Sequence, residues 1–69
     1  MRHRTGTLTV TIPLYADTHR LEVAAPLYAL DADVRRGRID LDRSDEAVIS
    51  VGGIVAGAWE VTIFNPEEI

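Results

Sequence analysis

Sixty-nine residues, 46% of them apolar and 26% charged, make one domain, residues 1–69, with no room for a second. There is no cysteine, which excludes disulfides, thiolate metal sites and cysteine nucleophiles; the two histidines, His3 and His19, are too few for a structural zinc site. A formal charge of −4, with all seven basic residues arginine, argues against broad nucleic-acid binding but leaves room for a local arginine patch.

From Thr5 to Ile12, Leu8, Val10 and Ile12 alternate with Thr7, Thr9 and Thr11, the period-two pattern of a half-buried strand. Pro13 closes it or sits on an edge, because proline donates nothing to a ladder. Asp17 to Ala25 reads two ways. Leu21 and Val23 alternate with Arg20 and Glu22, as in a strand; Asp17 or Thr18 could equally cap a short helix ended by Pro26. The alternation favours the strand.

Leu30, Ala32 and Val34 alternate with Asp31 and Asp33, and Ile39 and Leu41 alternate with Arg38, Asp40 and Asp42. Between these runs Arg35-Arg36-Gly37 reads as a tight hairpin turn, glycine supplying the positive φ. Arg43 to Glu46 is a charged connection. The last third reads as a second hairpin, Ala47–Val51 and Ile54–Phe64 around Gly52-Gly53. Its parity carries a further expectation. With a two-residue turn, Trp59, Val61 and Ile63 fall on the opposite side from Ile49 and Val51. One inserted residue at Gly57 or Ala58, a β-bulge, brings Ala47, Ile49, Val51, Ile54, Ala56, Trp59, Val61 and Ile63 onto one core face.

Together these runs predict an all-β fold, or a mainly β fold with one short helix: about five or six short antiparallel strands as a meander, small barrel or sandwich. Val10-x-x-Pro13-Leu14-Tyr15-Ala16 recurs as Val23-x-x-Pro26-Leu27-Tyr28-Ala29, which is either coincidence or a pair of strands with equivalent ends. The longest uncharged run, Ala47 to Trp59, is 13 residues, short of the ~20 that span a bilayer, so no membrane association is expected.

Four arginines, Arg35, Arg36, Arg38 and Arg43, are the candidate anion-binding residues, since guanidiniums clustered at a turn can grip phosphate or carboxylate in bidentate fashion. The competing role, and the favoured one, is to answer Asp31, Asp33, Asp40 and Asp42 on the flanking segments. Asp40-x-Asp42-x-Ser44-Asp45-Glu46 resembles half a calcium loop. It has Asp45 where the loop needs glycine and Val51 where it needs glutamate, so no metal is expected. Asp17-Thr18-His19, with Ser44 and Ser50, lacks the strained serine turn of a nucleophilic triad; no catalytic residue and no cofactor are expected. Trp59 is expected in the core.

Thr11-Ile12-Pro13, Pro26 and Gly37-Arg38-Ile39-x-Leu41 resemble, over residues 5–42, the swapped-hairpin DNA-binding domain of bacterial transition-state regulators and antitoxins. That resemblance implies an interleaved dimer that contacts DNA. Where the family has basic residues after the proline, however, this chain has Leu14-Tyr15-Ala16-Asp17, and the family's Pro-Gly-Asp turn is Pro26-Leu27-Tyr28 here. The residues that would touch DNA are missing, and neither fold nor function is carried over from it.

A chain this short buries a modest core, and small domains usually add a disulfide, a metal or a partner. The first is excluded and the second is not expected. The expectation is therefore a non-enzymatic structural or protein–protein interaction module, a homo-oligomer or a component of a larger assembly such as a virion, cytoplasmic or otherwise soluble and intracellular. Its partner is itself or another protein rather than nucleic acid, with Val48, Val55, Phe64, Tyr15 and Tyr28 as candidate interface residues. The alternative is a regulator that binds nucleotide, phosphate or nucleic acid through Arg35–Arg38.

Overall fold

The computed structural model describes residues 4–64. They run β1 (Gly6–Thr11), α1 (Arg20–Arg35), β2 (Asp45–Val51) and β3 (Ile54–Ile63). The strands make one antiparallel sheet in the order β1-β3-β2, which puts the longest strand in the centre. The fold is mainly β with one helix, and the three strands among the described residues are fewer than the alternation predicts.

The C-terminal hairpin forms as its sequence dictates. Gly52 and Gly53 both take positive φ, 60° and 81°, the pairing that matches a two-residue turn to the twist of its strands. Val51 faces Ile54 and Ser50 faces Val55, after which Ile49 faces Gly57, leaving Ala56 as the inserted residue. The bulge thus falls one position before Gly57. Beyond it Trp59 lies opposite Ala47 and Val61 opposite Asp45, on the same face as Ile49. At Gly57 the end of β1 comes close: a Cβ there would lie 2.7 Å from the Thr11 carbonyl oxygen. Only glycine accommodates that approach without a shift.

β1 joins the other side of β3, with Leu8 opposite Val61 and Val10 opposite Trp59. The core face therefore carries Leu8, Val10, Ile49, Trp59, Val61 and Ile63, and the outer face carries Thr7, Thr9, Thr11, Glu46, Glu60 and Thr62. Ala47 and Ile54 have core-face parity but remain exposed.

Residues 20–35 are helix where alternation pointed to strands at 17–25 and 30–34. Four alanines and three leucines give this segment strong helix propensity, and burial every three to four residues, at Val23, Pro26, Leu30 and Val34, seats one stripe on the sheet. The start is capped by His19, whose Nδ1 accepts from the Leu21 N–H at 3.1 Å, rather than by Asp17 or Thr18. Thr18 instead closes a turn, its hydroxyl accepting from the Tyr15 N–H at 2.6 Å. Pro26 lies inside the helix and does not end it. It leaves the Glu22 carbonyl without its i+4 donor, and its fully buried ring offsets that loss by filling the space against the sheet.

Gly37 takes φ 71°, but as the residue after a helix and not as a hairpin turn. Its N–H donates to the Val34 carbonyl at 3.2 Å and that of Arg38 to the Asp33 carbonyl at 3.0 Å, the paired bonds of a Schellman ending. The expected strand at Ile39–Leu41 is a loop held by local bonds, including the Asp42 N–H to the Asp40 carboxylate at 2.8 Å. This loop also replaces the strand that the swapped-hairpin likeness required. The two Pro-Leu-Tyr-Ala copies are not equivalent either: one follows β1 in a connection and the other lies within α1.

Leu30, Ile39, Ile49, Trp59 and Val61 form the core, with Val10, Ala29, Val34 and Ile63 packed around them. The helix lies over β2 and touches β3, and its backbone comes near no residue of β1.

Candidate functional site

The arginine candidates belong to the C-terminal end of α1 and the loop after it. Arg35 is in the last turn, Arg36 is the C-cap and Arg38 follows Gly37. Arg35 holds both oxygens of Asp31 at 2.9 and 3.0 Å. That hydrogen bond, and the carboxylate charge behind it, raise the guanidinium's pKa above its ordinary value. Arg38 pairs with Asp33 at 3.5 Å and Arg43 with Asp40 at 3.6 Å. All four arginines are exposed. The negative end of a helix dipole lies beside Arg35 and Arg36, and cations are favourable there. Three of the four arginines thus lie against acids of their own chain, and Arg36 sits at the helix end.

The acidic loop is equally self-engaged. The Asp40 carboxylate accepts from the Asp42 N–H, and the Ser44 hydroxyl accepts from the Ile63 N–H at 3.0 Å, tying the loop to β3. No group of three metal-ligating side chains occurs among the described residues. Glu46 and Glu60 face each other across β2 and β3 on the outer face, a like-charge pair open to solvent.

Apolar exposure is the feature that stands out. Among the described residues five hydrophobic side chains form the buried core, while ten large ones are exposed, including Leu21 at 66%, Tyr28 at 76% and Ile54 at 73%. These three are not scattered. Leu21, Ala25 and Tyr28 form a second apolar stripe on α1, beside the buried one. With Val51 and Gly52 they line an open groove of about 610 Å³ between the helix and the hairpin tip. The same surface passes over Ile54 and continues to Tyr15, Ile12 and Val55 on the far side of the tip. Among the interface candidates, Tyr28, Tyr15 and Val55 thus share one collar around the tip. Val48 is exposed on the outer face of the sheet, and Phe64 is half-buried where its N–H donates to the Thr5 carbonyl at 2.8 Å.

Sequence reasoning missed Leu21, Ala25 and Ile54 as surface residues. The spacing of Leu21, Ala25 and Tyr28 is visible in the chain, but it acquires meaning only once the segment is known to be helical.

Comparison with protein-family models, with characterised proteins and with solved structures finds no match. No helix among the described residues is long and apolar enough to cross a membrane.

Proposed function

We propose that this chain is a non-enzymatic structural or protein–protein interaction module that works as a homo-oligomer or as one piece of a larger assembly. One observation carries the reading: the imbalance between five buried and ten exposed large apolar side chains among the described residues, with many of the exposed ones gathered around the hairpin tip. A contiguous apolar surface on so small a domain marks a contact surface. Tyr15 and Tyr28 suit the role, since a tyrosine offers a broad apolar ring with a polar end at low entropy cost. The arginines, each close to an acid of its own chain or to the helix end, give an anion-binding reading no comparable support.

Light scattering after size exclusion tests it, with protein from micromolar to millimolar. The mass is expected to exceed 7.6 kDa and rise with concentration, and Tyr28→Glu combined with Ile54→Glu is expected to lower it. A constant 7.6 kDa across the range, with no binding of an apolar dye, would overturn the reading.

A further inference from the structure

The two edges of the sheet differ in kind. At one edge β2 begins with Asp45 and Glu46, and Asp45 has core-face parity, so a strand approaching that edge meets charge on both faces. Inward-facing charge on an edge strand is a recognised defence against strand addition. The helix also packs over β2. At the other edge β1 has neither protection. No charged residue occurs from Thr5 to Ala16, in a chain that is 26% charged, and the α1 backbone does not come near it.

The hydrogen-bond phase of β1 follows from one contact. The Thr5 carbonyl accepts from the Phe64 N–H, so Thr5 and Phe64 are a hydrogen-bonded pair, and the alternation makes Thr7, Thr9 and Thr11 the residues bonded to β3. Gly6, Leu8 and Val10 therefore direct their N–H and C=O groups away from the sheet, along an edge that no other strand among the described residues pairs. Side chains add to this: Leu8 is 44% exposed, and Val10 is only half-buried.

We propose that the β1 edge is where a second copy of this chain adds, antiparallel, to make one continuous six-stranded sheet. This rests on the self-association reading above and adds to the collar a second contact surface. A two-fold axis through Leu8 or Thr9 pairs outward-bonding residues only with outward-bonding residues. Through Leu8 it sets leucine against leucine; through Thr9 it sets Leu8 against Val10. In both registers threonine faces threonine on the outer side. Such pairs are favourable in sheets. Each chain carries −4, and an uncharged seam keeps like charges from meeting at the axis. The axis stands perpendicular to the sheet, so both helices lie on one side of it. Between them runs an apolar strip of Leu8 and Val10 from both chains. The collar at the hairpin tip lies off this seam and is a second contact, through which such dimers associate further.

Thr7→Lys with Thr9→Lys is the decisive variant. Both positions lie on the outer face, and the cation placed at the second would face Glu60 within its own chain, so the monomer keeps its fold. Across the axis, lysine meets lysine in either register. Wild-type protein is expected at twice 7.6 kDa or a multiple of that. The variant is expected to lose this pairing, halving the mass, with an unchanged far-ultraviolet circular dichroism spectrum. Amide exchange on wild type gives a second reading that needs no variant. The Leu8 and Val10 amides should gain protection as concentration rises, while those of Thr7 and Thr9 are protected throughout. An oligomer that survives the double substitution, with Leu8 and Val10 exchanging freely, overturns the edge and leaves self-association standing. A monomer at every concentration overturns both, as does early protection of Leu8 and Val10 at constant mass, which would mean the chain covers its own edge.

Discussion

The hairpin of residues 45–63 and the helical segment before it are stabilised in different ways. β3 has a strand on each side, and its buried residues Trp59 and Val61 are gripped from β1, β2 and the helix at once. α1 has only the sheet beneath it, and holds on through Val23, Pro26, Leu30 and Val34 while a second apolar stripe faces out. In the hairpin one face is apolar and the period is legible. On the helix two faces are apolar, which flattens the amphipathic contrast and lets a run such as Arg20-Leu21-Glu22-Val23 pass for a strand.

On that contrast, the largest effect should come from Trp59→Ala. Truncating a buried tryptophan costs about 3–5 kcal/mol, against a total stability of roughly 3–10 kcal/mol for a domain of this size. Chemical denaturation should show a large part of the stability lost, with the helix melting together with the sheet. A variant that kept its helical signal would show that α1 does not depend on the sheet.

Leu30→Ala is next, at about 2–4 kcal/mol. It should lower the denaturation midpoint and speed amide exchange in α1 more than in β3. Equal acceleration in both would erase the distinction between framework and attached helix. Gly57→Ala comes third, at about 1–3 kcal/mol, since its methyl group must displace backbone at Thr11. Thermal melting would test this, and an unchanged melting temperature would mean the bulge has slack. The smallest is a gain: His19→Asp, a stronger cap at the positive end of α1, should stabilise by about 0.5–1 kcal/mol without changing the outer face of the sheet. A loss there would mean that the imidazole does more than cap.

The arginine turn shows why part of the site was illegible. Glycine with positive φ suits both a hairpin turn and the residue after a helix, and basic residues suit both settings. Arg35-Arg36-Gly37-Arg38 therefore reads the same in either fold, and only the bonds from Gly37 and Arg38 back to Val34 and Asp33 distinguish them. The collar was illegible for a related reason. Leu21, Tyr28 and Ile54 are ordinary apolar residues until the helix sets Leu21 and Tyr28 on one face and the turn brings Ile54 beside them.

By itself the chain determined its short-range features: the alternation of β1, the Gly52-Gly53 turn, the need for a bulge within one residue of where it falls, and a buried Trp59. All depend on φ preferences and on side-chain parity between adjacent residues, which are local properties. Tertiary structure alone decided the order β1-β3-β2, the helix at residues 20–35 and which of its two apolar stripes is covered. Those outcomes are set by contacts between residues far apart in the chain, whose free energy outweighs a few tenths of a kcal/mol per residue of local preference.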